Sequence, residues 1–419
     1  MLYWLGIIQN FKLGEIRKYR IPLEQIFWSA IKWIKKNTQC DSIIFKTIFF
    51  FPSTRDIIRK SLDDPAKFHS LCTCRGHRSL QSMIKCFEIF LPIVRGNFLL
   101  LHDMAYDFCK RQADQNIIYT EVRYNPHLLA SNGSFVKSEK DDIVDPRPVI
   151  DAVTTGLRDG EEKFGIQVNQ ILCCIAWRPD WADEIVELAN ERRNSFPCAV
   201  VGVDIAAGEE HFDETAFPNL FNPHYEAFQK AKKLDLNVTL HAGEVAHADN
   251  ISKAVEIYGA QRIGHGYQIN DQKELMRQMK DKKIHFEVCP TSSVETGGWV
   301  YDDEDVSPVL SSPKKQQKDW KKHPAVTMID NGINIGFNSD DPAVFNTSLT
   351  WQLRIAHKKM GLTRETIWNS ILHSVNATFL NDKDKQQLKK RIEIRKREQE
   401  NTKVGIKLHE SFSERVFTN

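Results

Sequence analysis

Three short segments of the sequence carry residue types that could act together on a metal ion and a substrate. His241 ends an apolar run, and Glu244 follows it after a small-residue turn. His265 lies between two glycines, and Asp340 and Asp341 form an acidic pair after another apolar run. Histidine nitrogens and carboxylate oxygens are common zinc ligands. A partly buried glutamate has a raised pKa and can deliver a proton.

Each segment also has a simpler interpretation. His241 with Glu244 could be a core histidine followed by a helix N-terminal glutamate, and His265 could be a turn histidine. An exposed Asp-Asp-Pro turn is less favoured for Asp340 and Asp341, because they follow an apolar strand. Taken together, the segments predict a metal-activated hydroxide site. In it, His241 and Asp340 are ligands, Glu244 is an acid, and His265 and Asp341 orient the nucleophile.

The elements that must position these side chains are short apolar strands separated by helical patterns. Seven strand candidates share this character: Ile117–Tyr124, Ile166–Ile175, Ala199–Ala206, Leu236–Leu240, Arg262–Gly264, Ile284–Cys289 and Ile333–Asn338. Such alternation predicts a parallel α/β sheet, either open and doubly wound or closed. Titratable groups at three strand ends favour closure. We therefore predict a TIM-type (β/α)8 barrel with its first strand missing or atypical.

Composition excludes several classes of protein. The 419 residues contain Lys+Arg 57 and Asp+Glu 55, a formal net charge of +2, which does not suggest a nucleic-acid or membrane-surface binder. No apolar run reaches the roughly 18 residues of a membrane-spanning helix. Nine scattered cysteines are typical of a reducing compartment, so we expect a cytoplasmic location. The sequence gives no indication of the oligomeric state.

The chain divides into three predicted regions. Residues 1–91 are a divergent N-terminal region that includes the aromatic segment Ile43–Phe51, residues 92–399 form the barrel, and residues 400–419 are a tail. Cys72-x-Cys74-x-x-His77 could be half of a zinc site. No second ligand pair follows it at the required spacing, so we do not predict a metal there. The segment Glu295–Lys322 is predicted to be a long surface connection.

Over about residues 92–390 the sequence resembles the adenosine deaminases of the metal-dependent amidohydrolase superfamily, most closely the cytosolic vertebrate-type branch. The segments that carry the resemblance are Tyr119–Ala130, Ile171–Cys174, Val203–Ala206, His241–Glu244, Gly264–Tyr267, His285–Pro290, Thr296–Trp299 and Asn338–Pro342. This resemblance implies one zinc ion per chain and hydrolytic deamination of adenosine and 2'-deoxyadenosine, in purine salvage. The implied partner is a small-molecule nucleoside.

The resemblance also implies a role for each candidate. His241 and Asp340 would be zinc ligands, and Glu244 would protonate N1 of the purine. His265 would orient the hydroxide that attacks C6 and stabilise its charge, and Asp341 would help to hold that hydroxide and contact N7.

Two departures from the family pattern bear on activity. Gly208 matches a glycine whose backbone contacts the purine, but one extra residue separates it from its strand. The family's first strand carries a His-x-His pair of zinc ligands, and this sequence has none. We expect either an aberrantly spliced start or a paralogue that lost its metal. If no strand occupies the first position, the barrel should have an open seam and low stability.

Three functions therefore stay open. The first is the zinc-dependent nucleoside deaminase. The second is a catalytically impaired relative that binds only a nucleoside or a partner. The third is a deaminase of a nucleotide or a modified adenine. Deamination of nucleic acid is not predicted, because the Pro-Cys-x-x-Cys signature of that zinc class is absent.

Overall fold

The computed structural model describes residues 3–8, 65–76, 79–130, 145–300 and 319–397. Outside these ranges lie the aromatic segment Ile43–Phe51, His77 of the half zinc motif, most of the connection Glu295–Lys322 and the tail 400–419. What the sequence predicts for these segments stays a prediction.

Within the described part of the chain, eight strands follow one another in chain order around the barrel. They are β1 (Tyr3–Ile8), β2 (Ile117–Tyr124), β3 (Gln167–Ile175), β4 (Val200–Ala206), β5 (Thr239–Ala242), β6 (Arg262–His265), β7 (His285–Val288) and β8 (Asn334–Phe337). Strands β1 to β4 form one sheet and β5 to β8 another, and a parallel bridge between Val203 and Val238 connects them. All pairs from β2 to β8 are parallel. The seven predicted strands and the α/β barrel class are confirmed.

Helices connect the strands. They are α1 (Pro65–Leu71), α2 (Leu80–Val94), α3 (Phe98–Asp114), α4 (Pro126–Leu129), α5 (Arg147–Phe164), α6 (Ala182–Arg192), α7 (Pro218–Lys233), α8 (Asp249–Glu256), α9 (Lys273–Asp281), α10 (Pro290–Thr296), α11 (Pro324–Asp330), α12 (Pro342–Phe345), α13 (Leu349–Lys358), α14 (Arg364–Ala377) and α15 (382–397). In α5 the buried apolar residues Val149, Val153 and Leu157 recur every four residues, as the helical pattern predicted. Within the described ranges, no helix is long and apolar enough to cross a membrane.

The first position of the barrel is occupied by β1, which runs antiparallel to β2. Tyr3 lies opposite Arg123, and Ile8 lies opposite Ile117. An antiparallel first strand differs from the all-parallel (β/α)8 pattern, so the predicted atypical strand is present in this form. The open seam and low stability were predicted for a barrel with no strand in the first position. Because β1 occupies that position and pairs with β2, this prediction does not apply. Among the described residues no backbone pairing joins β8 to β1.

The barrel encloses charged side chains below its carboxyl-terminal end. Arg123 on β2 pairs with Asp204 on β4, with 3.1 Å between Nη1 and Oδ2, and with Glu287 on β7. Arg262 on β6 contacts Glu287 at 2.9 Å and Glu121 on β2 at 2.5 Å. All five side chains are at most 1% exposed. Although burial opposes ionisation, the charges of Arg123 and Arg262 lower the pKa of Glu287 to about 2.

Removing one partner from this network should destabilise the fold strongly. We expect Arg123→Met to reduce the free energy of unfolding by about 3–5 kcal/mol, because Asp204 and Glu287 would keep their buried charges without this cation. Denaturant titration followed by circular dichroism measures the change. The matched control is Arg147→Met, since Arg147 pairs with Glu191 at the surface and should contribute less than about 1 kcal/mol. Equal losses for the two variants would contradict the prediction.

Candidate active site

The predicted site residues lie together at the carboxyl-terminal end of the barrel. His241 is in β5, and Glu244 lies in the turn that follows it. His265 is the last residue of β6, and Asp340 and Asp341 come shortly after β8. Each of the five is at most 7% exposed. Parallel strands end at the same edge of a sheet, and this brings side chains from three distant segments into one cluster.

Short distances link the acid, the second histidine and the first aspartate. His265 Nε2 lies 3.6 Å from Glu244 Oε2 and 3.8 Å from Asp340 Oδ2. The rings of His241 and His265 are adjacent, with centroids 5.2 Å apart. His241 Nδ1 lies 3.0 Å from Asp204 Oδ2. A carboxylate at Nδ1 orients the ring so that Nε2 can serve as a metal ligand.

The backbone at the site adopts uncommon conformations. His265 has φ 66° and Asp340 has φ 57°, in the left-handed region that non-glycine residues rarely occupy. Such strain is found mostly at functional sites, where surrounding packing maintains it. One of the two glycines beside His265 is required by packing. A Cβ on Gly264 would lie 3.2 Å from His241 Cγ, so this glycine leaves room for the neighbouring ring.

Burial raises the pKa of two of the three acids in the cluster. It raises the pKa of Glu244 to about 7, so this side chain holds a proton for part of the time at neutral pH. Burial, with the charges of Asp341 and Glu244, raises the pKa of Asp340 well above its usual range. Glu244, Asp340 and Asp341 therefore share a buried space, and a cation bound to Asp340 would favour the ionised form of that carboxyl group.

The two histidines are shifted in opposite directions. Burial and the positive charges of His241 and Arg123 lower the pKa of His265 far below 6.5, so its ring is neutral. For His241, burial lowers the pKa, but the charge and hydrogen bond of Asp204 outweigh that effect and raise it to about 9. A neutral His265 can accept a proton from a nucleophile.

The donors present fit a zinc ion. His265, Cys289 and Asp340 each offer one ligand atom, and these atoms all lie within 4.8 Å of one another. His241 lies beside them, as its ring contact with His265 shows. Nitrogen, thiolate and carboxylate donors are those that zinc takes in proteins. Within the described ranges this is the one group of three such donors, and neither Cys72 nor Cys74 belongs to one.

Sequence reasoning missed three residues of this region. Cys289 directly follows β7, a position that could have been recognised from the rule that chemistry lies at strand ends. Asp204 is the one charged residue of β4, and the sequence does not indicate that it contacts His241. Glu209 binds the turn that carries Glu244, and no local pattern indicates this.

Gly208 lies at the same end of the barrel, two residues beyond β4. Its φ is 148°, and a Cβ there would lie 3.4 Å from the Cβ of Ala176, next to the end of β3. Ala207, which precedes Gly208 in this loop, has a left-handed φ of 69°. The contact of Gly208 with a purine stays a prediction.

Comparison with known proteins identifies the family. A family model described as adenosine deaminase matches residues 47–395. An adenosine deaminase of Xenopus tropicalis is 33% identical over 312 residues, which cover 74% of this chain and 80% of that protein. One from Danio rerio is 31% identical over 350 residues, or 83% of this chain and 90% of that protein. The chain belongs to the adenosine deaminase family. Its members are hydrolases, and the match begins inside the region that we assigned to a divergent N-terminus.

Solved structures show the same fold at lower identity. A zinc-bound amidohydrolase from Burkholderia ambifaria has a TM-score of 0.61 at 21% identity, covering 82% of this chain and 86% of its own. The N6-methyl-AMP deaminase of Arabidopsis thaliana has a TM-score of 0.60 at 24% identity, covering 81% of this chain and 90% of its own. These two structures therefore agree with the barrel fold of this family member.

Proposed function

We propose that this adenosine deaminase family member is a zinc-dependent hydrolase. It converts adenosine and 2'-deoxyadenosine to inosine and 2'-deoxyinosine and releases ammonia, as part of purine salvage in the cytoplasm. The observation that carries the proposal is the cluster in which His265 Nε2 lies 3.6 Å from Glu244 and 3.8 Å from Asp340. The eight cysteines in the described ranges are buried and form no disulfide with one another, which agrees with a reducing compartment.

His241 and Asp340 are the proposed zinc ligands, with Cys289 and His265 next to them. Bound zinc would supply the positive charge that lowers the pKa of a water molecule to about 7. Asp204 holds the Nδ1 side of His241 and so fixes the ring that faces the ion.

The first step of the proposed reaction is the transfer of a proton from Glu244 to the substrate. Since burial raises its pKa to about 7, Glu244 can give a proton to N1 of the purine at neutral pH, which makes C6 open to attack. The neutral ring of His265 accepts a proton from the attacking water, and Asp341 holds that water and contacts N7. The amino group gains this proton and leaves as ammonia. The C6 hydroxyl then loses its proton as the carbonyl forms, and this restores the acid.

Zinc content and turnover together test the proposal. We expect about one zinc per purified chain. We also expect the ultraviolet absorbance of added adenosine to fall with time as it is converted to inosine. Turnover should require the metal, so a chelator should abolish it and added zinc should restore it. Folded protein that neither retains added zinc nor turns over adenosine would contradict the proposal and support the catalytically impaired relative.

The choice of substrate has its own measurement. The deaminase from Arabidopsis acts on a methylated adenosine monophosphate, as its name states, and a similar fold does not determine the substrate of this chain. We expect kcat/KM to be higher for adenosine than for adenosine monophosphate and N6-methyl-AMP. The reverse order would favour the nucleotide deaminase.

A further inference from the structure

Glu209 is a buried carboxylate in the loop after β4, and it accepts four hydrogen bonds from one neighbouring turn and a fifth from the helix α8 that follows this turn. It is 7% exposed. Its oxygens accept from the backbone N–H groups of Gly243 at 2.7 Å, Glu244 at 2.9 Å, Val245 at 3.2 Å and Ala246 at 3.3 Å, and from the side-chain amide of Asn250 at 2.9 Å. The turn that it binds is the one between β5 and α8, which carries Glu244.

This turn depends on side chains for its conformation. Residues 243–246 form bends and belong to neither a helix nor a strand. Their N–H groups therefore do not take part in the regular backbone hydrogen bonds of such an element. Buried N–H groups that lack an acceptor are costly, and Glu209 accepts from the buried pair Gly243 and Glu244 as well as from the two more exposed residues that follow them. On the other side of the turn, the amide of Gln268 donates to the Glu244 carbonyl at 3.1 Å. The backbone of Glu244 is therefore fixed from both sides.

Charge makes Glu209 suited to this role. Several successive N–H groups that point at one place form a cradle for an anion. Hydrogen bonds to an ionised carboxylate are roughly twice as strong as neutral ones. A glutamine at this position would place an NH2 group opposite some of the same N–H donors. An NH2 group cannot accept a hydrogen bond from an N–H group, so these bonds would be lost.

We infer that Glu209 is a positioning residue for the reaction, because it fixes the turn that aims the Glu244 carboxyl at the substrate. The inference rests on the proposed deaminase function. Glu209 touches neither substrate nor metal in this assignment and acts through the backbone of Glu244. Small displacements of a catalytic group can lower a rate by about 100-fold.

The test is Glu209→Gln in the full-length, zinc-loaded enzyme. We expect kcat for adenosine to fall by about 10- to 100-fold, with KM within about threefold of the wild type and zinc content unchanged. A fall in kcat with nearly unchanged KM and zinc content indicates a positioning role. A general loss of fold would instead lower the zinc content and the fraction of active protein together. Glu214→Gln is the matched control, since Glu214 is exposed and lies five residues further on. It should leave kcat unchanged.

A second variant keeps the inference testable if Glu209→Gln does not fold. Asn250→Ala removes one of the five donors and should lower kcat by a smaller factor in the same direction. Unchanged kcat in the folded variants, or a fall that follows loss of zinc, would overturn the inference. If the wild type itself does not turn over adenosine, it is the proposed function that fails, and this outcome is distinct from the others.

Discussion

Glu244→Gln should lower kcat for adenosine by about 10²- to 10⁴-fold, the range that a positioned general acid contributes. Burial raises the pKa of Glu244 to about 7, so near neutral pH the wild-type side chain has a proton to give, and glutamine has no acidic proton. The amide has nearly the same size and preserves packing. We therefore expect zinc content to stay at the wild-type level and KM to change much less than kcat. Steady-state kinetics with metal analysis measures both.

A surface glutamate provides the control for this variant. Glu274 lies exposed at the start of α9 and pairs with Arg277, so Glu274→Gln should leave kcat unchanged. A kcat for Glu244→Gln within tenfold of the wild type would show that Glu244 does not supply the essential proton. Another acid would then have to reach N1.

Asp340→Asn should remove the metal and with it the activity. Loss of a residue that only supports a ligand costs about 10- to 100-fold in metal affinity, so loss of a direct ligand should cost more than about 100-fold. The substitution is suited to the site because Asp340 has φ 57° and asparagine tolerates the left-handed region. We expect folded protein with less than about one tenth of a zinc per chain and no measurable turnover.

Metal analysis after dialysis measures this loss, and a thermal melt shows that the variant is folded. Asp330→Asn is the matched control, because Asp330 is exposed at the end of α11. It should keep its zinc. Retention of a full zinc ion by Asp340→Asn would mean that His241, His265 and Cys289 hold the metal without the carboxylate.

Much of the barrel could be predicted from local patterns. Strands β2 to β8 are apolar runs, because parallel strands in a barrel are buried on both faces. The five polar candidates were found for a related reason. A charged or imidazole side chain directly after such a run, as at His241 and Asp340, lies at the strand end where the chain leaves the core.

The first strand could not be predicted from the local sequence pattern. Tyr3–Ile8 was not among the predicted strands, and only the fold shows that this segment pairs antiparallel with β2. Direction depends on how the chain returns to the barrel, and the residues of the strand do not encode it. The atypical first strand could be predicted only from the absence of the expected histidines.

The sequence by itself determined strands β2 to β8, the helical patterns between them and the residue types at the mouth of the barrel. Only the tertiary structure decided which charges are partners. Arg123, Asp204 and Glu287 are separated by 81 and 164 positions in the pairs that they form. Glu209 likewise binds a turn 34 to 37 residues away. A charged residue is usually solvated, so its type alone predicts exposure. Closure of the barrel removes water from these side chains, and ion pairs and hydrogen bonds across the interior must then replace it.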